Sequence, residues 1–395
     1  MKVAAILTID VGGGGGFHQA LNAVRQMAAL AHGQFDFVTY TTLRENLDPL
    51  SSLGIEARFV ESGLTDKFIA ACAVSEVGRK LQARLRLVSG IEDVMLRDSV
   101  DLVYFVSPSS LCLSLQKLPY IMTVWDLCHR DSPEFPEVRR FNEFHATDWL
   151  YRNGLAAAVL VLADSDALAD RIAERYGVAR DRLLTMPFAP APLAAERYSS
   201  GMQDVLNKYQ IEAGYFFYPA QFWAHKNHIR ILQALSALKD SGDERVVVFA
   251  GGDQGNLPHV RSAIAELGLG SLVKVLGFVP HEDLRGLYQG CAAVVMPTYF
   301  GPTNLPPLEA WSIGRPLIYS STCARHAGGA ALLVDPDDAS ALAAAMKQVT
   351  RSEVATELIG RGSLRLTEID SQRTVAENAL KASIARFARR RECWG

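Results

Sequence analysis

Val3-Ala4-Ala5-Ile6-Leu7-Thr8-Ile9-Asp10-Val11-Gly12-Gly13-Gly14-Gly15-Gly16-Phe17 decides the fold of this chain. The apolar run Val3–Ile9 has the length and β-branched content of a buried strand, five glycines follow, and Phe17, Leu21, Val24, Met27, Ala28 and Leu30 then recur at helical spacing. That order is strand, glycine loop, helix, the opening unit of an α/β fold. Working outward, further strand-like runs occur at Phe35–Tyr40, Ala57–Val60, Leu102–Val106, Tyr120–Val124 and Ala158–Leu162, with helical patterns between several of them. Continuous apolar strands alternating with helices predict a mostly parallel sheet covered on both faces.

Around Pro187-Phe188-Ala189-Pro190-Ala191-Pro192 the periodicity lapses, which predicts a linker. A second alternating set follows. Strands are predicted at Tyr215–Tyr218, Val246–Ala250, Val273–Gly277, Ala292–Met296 and Pro316–Ser320, and helices at Ile229–Leu238, Val260–Leu267, His281–Tyr288 and Pro306–Ile313. The expected architecture is two Rossmann-like domains, residues 1–190 and 205–370, with a last helix (about 371–395) packing back on the first.

The chain has 395 residues, enough for two domains of ordinary size. Hydrophobic residues make up 49% and charged residues 21%, which excludes a disordered or collagen-like chain. Lys+Arg 40 against Asp+Glu 43 leaves a net charge of −3, unlike a dedicated nucleic-acid binder. The longest uncharged apolar stretches, Gly154–Ala163 and Leu102–Gln116, are shorter than the ~20 residues that span a bilayer, and no signal-peptide core follows Met1. Six scattered cysteines without a C-x-x-C pair read as reduced thiols, and the expected location is cytoplasmic.

Two stretches suit phosphate. Glycines Gly12–Gly16 let backbone N–H groups approach an anion at a helix start, although such a loop also merely turns a chain. In Asn304-Leu305-Pro306-Pro307-Leu308-Glu309-Ala310-Trp311, Asn304 or Leu305 can cap a helix, the prolines fit its first turn, and Gly314 fits its end. Free N–H groups there suit a diphosphate. Glu309, placed on the first turn, either accepts hydrogen bonds from a ribose diol or simply complements the helix dipole.

Phe300–Ile318, followed by Gly329–Pro336, resembles the signature of the family 4 glycosyltransferases of the GT-B fold. Tyr218–His228 is similar to the start of that family's second domain, and Thr123–His129 to a loop of its first. The resemblance implies two Rossmann-like domains facing each other across a cleft. It also implies a retaining, metal-independent transfer of a sugar from a nucleotide diphosphate donor, with no cofactor. On this pattern Lys226 neutralises the leaving diphosphate, with His225 and Gln221 beside it. Thr303 and Asn304 face the sugar, the Leu305, Pro306 and Leu308 backbone holds the phosphates, and Glu309 holds the ribose. Phe278 and Val279 line the base, and Gly15 and Gly16 face the diphosphate from the first domain. The family usually carries a second glutamate eight positions before Glu309, where this chain has Gly301. The Phe-Gly-Pro-Thr-Asn sequence at 300–304 is similar to a branch of polysaccharide mannosyl- and rhamnosyltransferases, which implies a GDP-sugar and a saccharide or lipid-linked acceptor.

Asp126 and His129 either bind the sugar and assist proton transfer from the acceptor, or are structural. Asp164-Ser165-Asp166 resembles a metal-holding pair, but it precedes a helical run and is expected to cap it, as is Asp337-Asp338. Arg79, Lys80, Arg84 and Arg86 among Leu81, Leu85 and Leu87, and Arg386–Arg391 near Trp394, are solvated helix faces or docking sites for anionic lipid. Two rival functions remain: a nucleotide-sugar 2-epimerase on the same scaffold, or a non-catalytic sugar- or nucleotide-binding protein.

Overall fold

The computed structural model describes residues 1–10, 14–190, 201–301 and 303–394, so part of the glycine loop (Gly12, Gly13) and part of the linker (Ala191, Pro192) lie outside the described residues. Thirteen strands occur among them, in two sheets. The first sheet comprises β1 (Lys2–Leu7), β2 (Asp36–Thr41), β3 (Ala57–Phe59), β4 (Leu102–Phe105), β5 (Tyr120–Val124), β6 (Leu160–Ala163) and β7 (Leu183–Thr185). Its order is β3-β2-β1-β4-β5-β6-β7. The second comprises β8 (Phe216–Pro219), β9 (Val247–Ala250), β10 (Val273–Val275), β11 (Ala293–Met296), β12 (Leu317–Ser320) and β13 (Leu332–Val334), in the order β10-β9-β8-β11-β12-β13.

All neighbouring strands pair in parallel; Val3 lies opposite Phe37 and Leu102, and Phe216 opposite Val247 and Ala293. Parallel strands are buried on both faces, which is why β4, β5, β6, β9, β11 and β12 contain only buried residues. Both sheets are the Rossmann-like α/β structures expected from the alternation. Each reverses its winding once, between β1 and β4 and between β8 and β11. Just outside the carboxyl ends of the strands at such a reversal, doubly wound sheets bind ligands.

By contact, the chain divides into a first unit (residues 1–133, 138–188 and 372–395) and a second (134–137 and 189–371). The helix Ser352–Arg391 runs unbroken for 40 residues and is longer than the 371–390 segment legible in the sequence. Its earlier half contains Gly360 and Gly362, which read as breakers. A Cβ on Gly362 would lie 2.5 Å from the Trp311 ring, so this glycine is what lets the helix pack there. Ala376, Leu380 and Ile384 from its later half join the core formed by Val3, Ala5, Leu7, Phe17 and Leu21. Strands β7 and β13 were not predicted, since each has only three residues and is partly exposed.

Candidate active site

The second unit's site is built on the two loops that leave β8 and β11. Burial of Phe216, Phe217 and Tyr218 fixes the root of the first loop. Its far end is the 3-10 turn Ala224–Lys226, followed by Asn227 at φ 57°, ψ 40° and the helix His228–Asp240. Asparagine tolerates this left-handed conformation. Here its side chain donates to Pro297 O at 3.1 Å and Pro336 O at 2.8 Å, tying three loops together. His228 stacks on Phe222 at 4.5 Å between Tyr218 and Phe249, and burial pushes its pKa down to about 3. It is a neutral core residue.

The second loop, 297–304, is stitched to the first by backbone. Tyr299 N–H donates to His225 O at 2.9 Å, and Tyr218 Oη donates to Lys226 O at 2.8 Å. With both main chains fixed, Lys226 Nζ donates to Asn304 Oδ1 at 3.1 Å. The neutral amide oxygen orients the ammonium without cancelling its charge. Asn304 Nδ2 in turn donates to Tyr319 Oη at 2.8 Å and to Gly301 O at 3.2 Å. Asn304 is therefore the N-cap residue of the helix Leu305–Ser312, yet its side chain makes no capping bond.

Two expectations change at this helix, and the departure at Gly301 gains a physical reason. Pro306 and Pro307 carry no N–H, and the Leu308 N–H falls at the fourth helical position, where intrahelical bonding begins. Of the Leu305, Pro306 and Leu308 backbone assigned to phosphate, Leu305 alone keeps a free first-turn donor position. Second, because the helix begins at Leu305, Glu309 is its fifth residue and no acidic residue lies in the first turn, which removes the dipole explanation for Glu309. Gly301 has φ +113°, and a Cβ there would lie 3.0 Å from the Asn304 side chain. The loop requires glycine at this position.

Glu309 is buried and accepts a hydrogen bond from the Tyr288 hydroxyl. Burial pushes its pKa up to about 7, with the Tyr288 bond opposing in part. Gln221 Oε1 accepts from Trp223 Nε1 at 3.1 Å. Phe278 is exposed beyond β10 whereas Val279 beside it is buried, so of the two only Phe278 has an exposed side chain. Thr303 is half-buried in the loop before Asn304.

The sequence reading missed Glu137. Residues 134–137 belong to the second unit although they fall within the chain of the first. The Glu137 carboxylate accepts from His225 N at 3.1 Å and from its Nδ1, while Phe135 packs on Phe300 and Tyr299. His225 is stacked on Phe300 with centroids 3.8 Å apart. Burial raises the pKa of Glu137, but the bonds from His225 and from backbone outweigh it and hold the carboxylate below its usual range. Eighty-eight residues separate the two partners, so no local pattern announces the pair.

In the first unit, the helix Gly15–Ala31 starts after Gly14 (φ 59°) with no side-chain cap, and Gly16 sits against Trp125, whose ring a Cβ would meet at 3.3 Å. Asp126 is partly exposed after β5, and its Oδ1 accepts from Cys128 N at 2.9 Å. His129 is buried; its Nε2 is 2.8 Å from Tyr176 Oη, and burial lowers its pKa against the pull of Asp126 and Asp148. Of the two alternatives left open for His129, burial and the Tyr176 contact favour the structural one. Ser165 Oγ caps the helix Asp166–Tyr176, and Asp338 caps Ala339–Val349, as the sequence suggested.

Residues 213–352 match the family described as Glycosyl transferases group 1. The second unit is a glycosyltransferase domain. This glycosyltransferase is 28% identical over 267 residues to O-antigen chain mannosyltransferase B of Escherichia coli, covering 67% of this chain and 69% of that one. It is 26% identical over 192 residues to O-antigen chain mannosyltransferase RfbU of Salmonella typhimurium, about half the length of each. Across 97% of its length it superposes on all of Anabaena HepE, solved in complex with UDP-glucose, with TM-score 0.71 and 16% identity. Sucrose-phosphate synthase of Thermosynechococcus elongatus gives TM-score 0.72 at 17% identity over 98% of this chain and 99% of that one. These likenesses place the glycosyltransferase in the two-domain GT-B fold. Among the described residues no helix is long and apolar enough to cross a membrane.

Proposed function

We propose that this glycosyltransferase moves a hexose, mannose or rhamnose, from a GDP-sugar to a saccharide or lipid-linked saccharide in surface polysaccharide synthesis, with retention and without a metal. The similarity to O-antigen mannosyltransferases supports the sugar class and the setting. The observation that carries the reading is the contact of Lys226 Nζ with Asn304 Oδ1 at the head of the Leu305 helix, beside the winding reversal of the second sheet. It sets a fixed cation and a helix start against one point, where a diphosphate's charge is met.

As the sugar–phosphate bond breaks, negative charge grows on the leaving diphosphate, and an ammonium already in place stabilises that charge without reorganising. Glu309, with Tyr288 on one oxygen, is the acceptor for the ribose hydroxyls; Phe278 is the apolar face for the base. His225 and Gln221 frame Lys226, and Thr303 with Asn304 supplies polar groups to the sugar. Gly15, Gly16 and Asp126 are the first unit's candidates for substrate contact, Asp126 as the group that orients the acceptor hydroxyl.

The test is a thermal-shift panel of GDP-, UDP- and dTDP-sugars, followed by product analysis with the stabilising donor. A ligand at 100 times its Kd stabilises by about 2.7 kcal/mol, so a true donor stands out. Stabilisation by GDP-mannose or GDP-rhamnose is expected. A response confined to UDP-sugars overturns the donor assignment, and binding without turnover on any acceptor overturns the transferase reading.

A further inference from the structure

Of the fourteen large hydrophobic side chains exposed among the described residues, six lie between positions 64 and 85: Leu64, Phe68, Val74, Val77, Leu81 and Leu85. All but Val74, which lies between them, belong to two consecutive helices of the first unit, Leu64–Ala73 and Glu76–Leu85. The helices touch backbone to backbone, because a Cβ on Gly78 would lie 2.3 Å from Cys72 O. Each turns a different face inward. Ile69, Cys72 and Ala73 are buried on the first, and Gln82 is buried on the second, donating to Ser114 O at 3.1 Å. Asp66 pins the hairpin by accepting from Gly63 N at 2.8 Å and Ile91 N at 3.3 Å.

The outward face is patterned. Val77, Leu81 and Leu85 follow at i, i+4, i+8, a single stripe, and Leu64 with Phe68 form an i, i+4 pair on the neighbouring helix. Lys80 and Arg84 flank the stripe at i+3 and i+7, and both are exposed, as are Lys67 and Arg86. From Leu64 to Leu87 five basic residues stand against two acidic ones in a chain whose net charge is −3. Asp66 faces inward, which leaves Glu76, paired with Lys80 at 2.7 Å, as the outward acid.

We propose that this hairpin docks the first unit on an anionic lipid surface, with Leu64, Phe68, Val77, Leu81 and Leu85 entering the headgroup boundary and Lys80, Arg84 and Arg86 meeting the phosphates. Aliphatic side chains interleaved with long cationic ones on one helix face suit an interface that is apolar within and anionic at its rim. A second copy is a poorer occupant, since a self-complementary contact would set these cations against their own duplicates.

The test is co-sedimentation of the full chain with phosphatidylcholine vesicles, with and without phosphatidylglycerol, at low and high salt. It uses no acceptor or donor, so it stands or falls apart from the transferase reading. The wild type is expected to partition onto the phosphatidylglycerol vesicles and to be released by salt. Lys80→Gln/Arg84→Gln is expected to lower the partition coefficient about thirtyfold, at about 1 kcal/mol of attraction lost per cation, and Leu81→Ser/Leu85→Ser by at least about tenfold. Both pairs are exposed, so melting temperatures and the nucleotide-sugar thermal shift are expected to match wild type. Equal partitioning onto both vesicle types, or wild-type partitioning by both variants, overturns the proposal. So does a dimer in light scattering that Leu81→Ser/Leu85→Ser dissociates, which would assign the face to a second copy.

Discussion

The two winding reversals of this molecule share one topology and are furnished in opposite ways. Beyond β8 and β11, side chains bind backbone and each other: Asn227 spans two proline carbonyls, Asn304 spans Lys226 and Tyr319, and Glu137 grips His225. Beyond β1, the helix begins at bare glycines with Trp125 as the neighbour of Gly16 and no side-chain cap. The second unit thus carries a geometry set before any ligand arrives, while the described start of the first unit's helix carries no side-chain cap. Preorganisation stabilises developing charge, because the groups need no rearrangement when it appears.

The sharpest way to break this contrast is Lys226→Ala. It should lower kcat by about 10²–10³ while donor Kd changes far less, because the contact matters most as charge develops. Steady-state kinetics with isothermal titration separate the two, and a loss confined to KM would contradict the role. Next in size is Gly301→Ala, which forces a side chain into φ +113° and against Asn304. About 2 kcal/mol of stability should be lost, read by urea denaturation.

Glu309→Gln probes the same corner through pH. The folded chain keeps the Glu309 proton up to about pH 7, whereas the carboxyl's ordinary value is 4.5. Its contribution to stability is therefore complete below 4.5 and is lost as pH rises through 7. Donor binding should run the other way, tightening as the carboxylate ionises. The variant is expected to bind donor about tenfold more weakly at alkaline pH, with little difference from wild type in acid, as calorimetry across the range will show. Gly16→Ala is the smallest. Its helix propensity gain of up to about 1 kcal/mol is offset by crowding at Trp125, so melting temperature should barely move while tryptophan fluorescence shifts.

What the sequence disclosed follows from how each feature is encoded. Strands such as β5 and β11 are buried on both faces and write themselves as unbroken apolar runs. The Leu305 helix is legible because capping and proline chemistry are local. The 40-residue helix hides its first half because Gly360 and Gly362 look like breakers until Trp311 is seen beneath one of them. Lys226 is visible within its motif, but its partner Asn304 lies 78 residues away, and Glu137 lies in a proline-flanked segment with nothing nearby to explain it. His129 stays open between two roles in the sequence because a histidine in a loop-like motif carries no sign of its burial against Tyr176.

Gly301 and Asn304 also constrain how this loop can change over time. Any side chain introduced at 301 meets the asparagine amide, and shrinking Asn304 first would deprive Lys226 and Tyr319 of a shared anchor. A carboxylate at position 301 therefore needs both a changed neighbour at 304 and a changed backbone path, because φ +113° strains any L side chain whatever the space. The two positions form a historical lock, and lineages that carry it are expected to diverge around it rather than back through it.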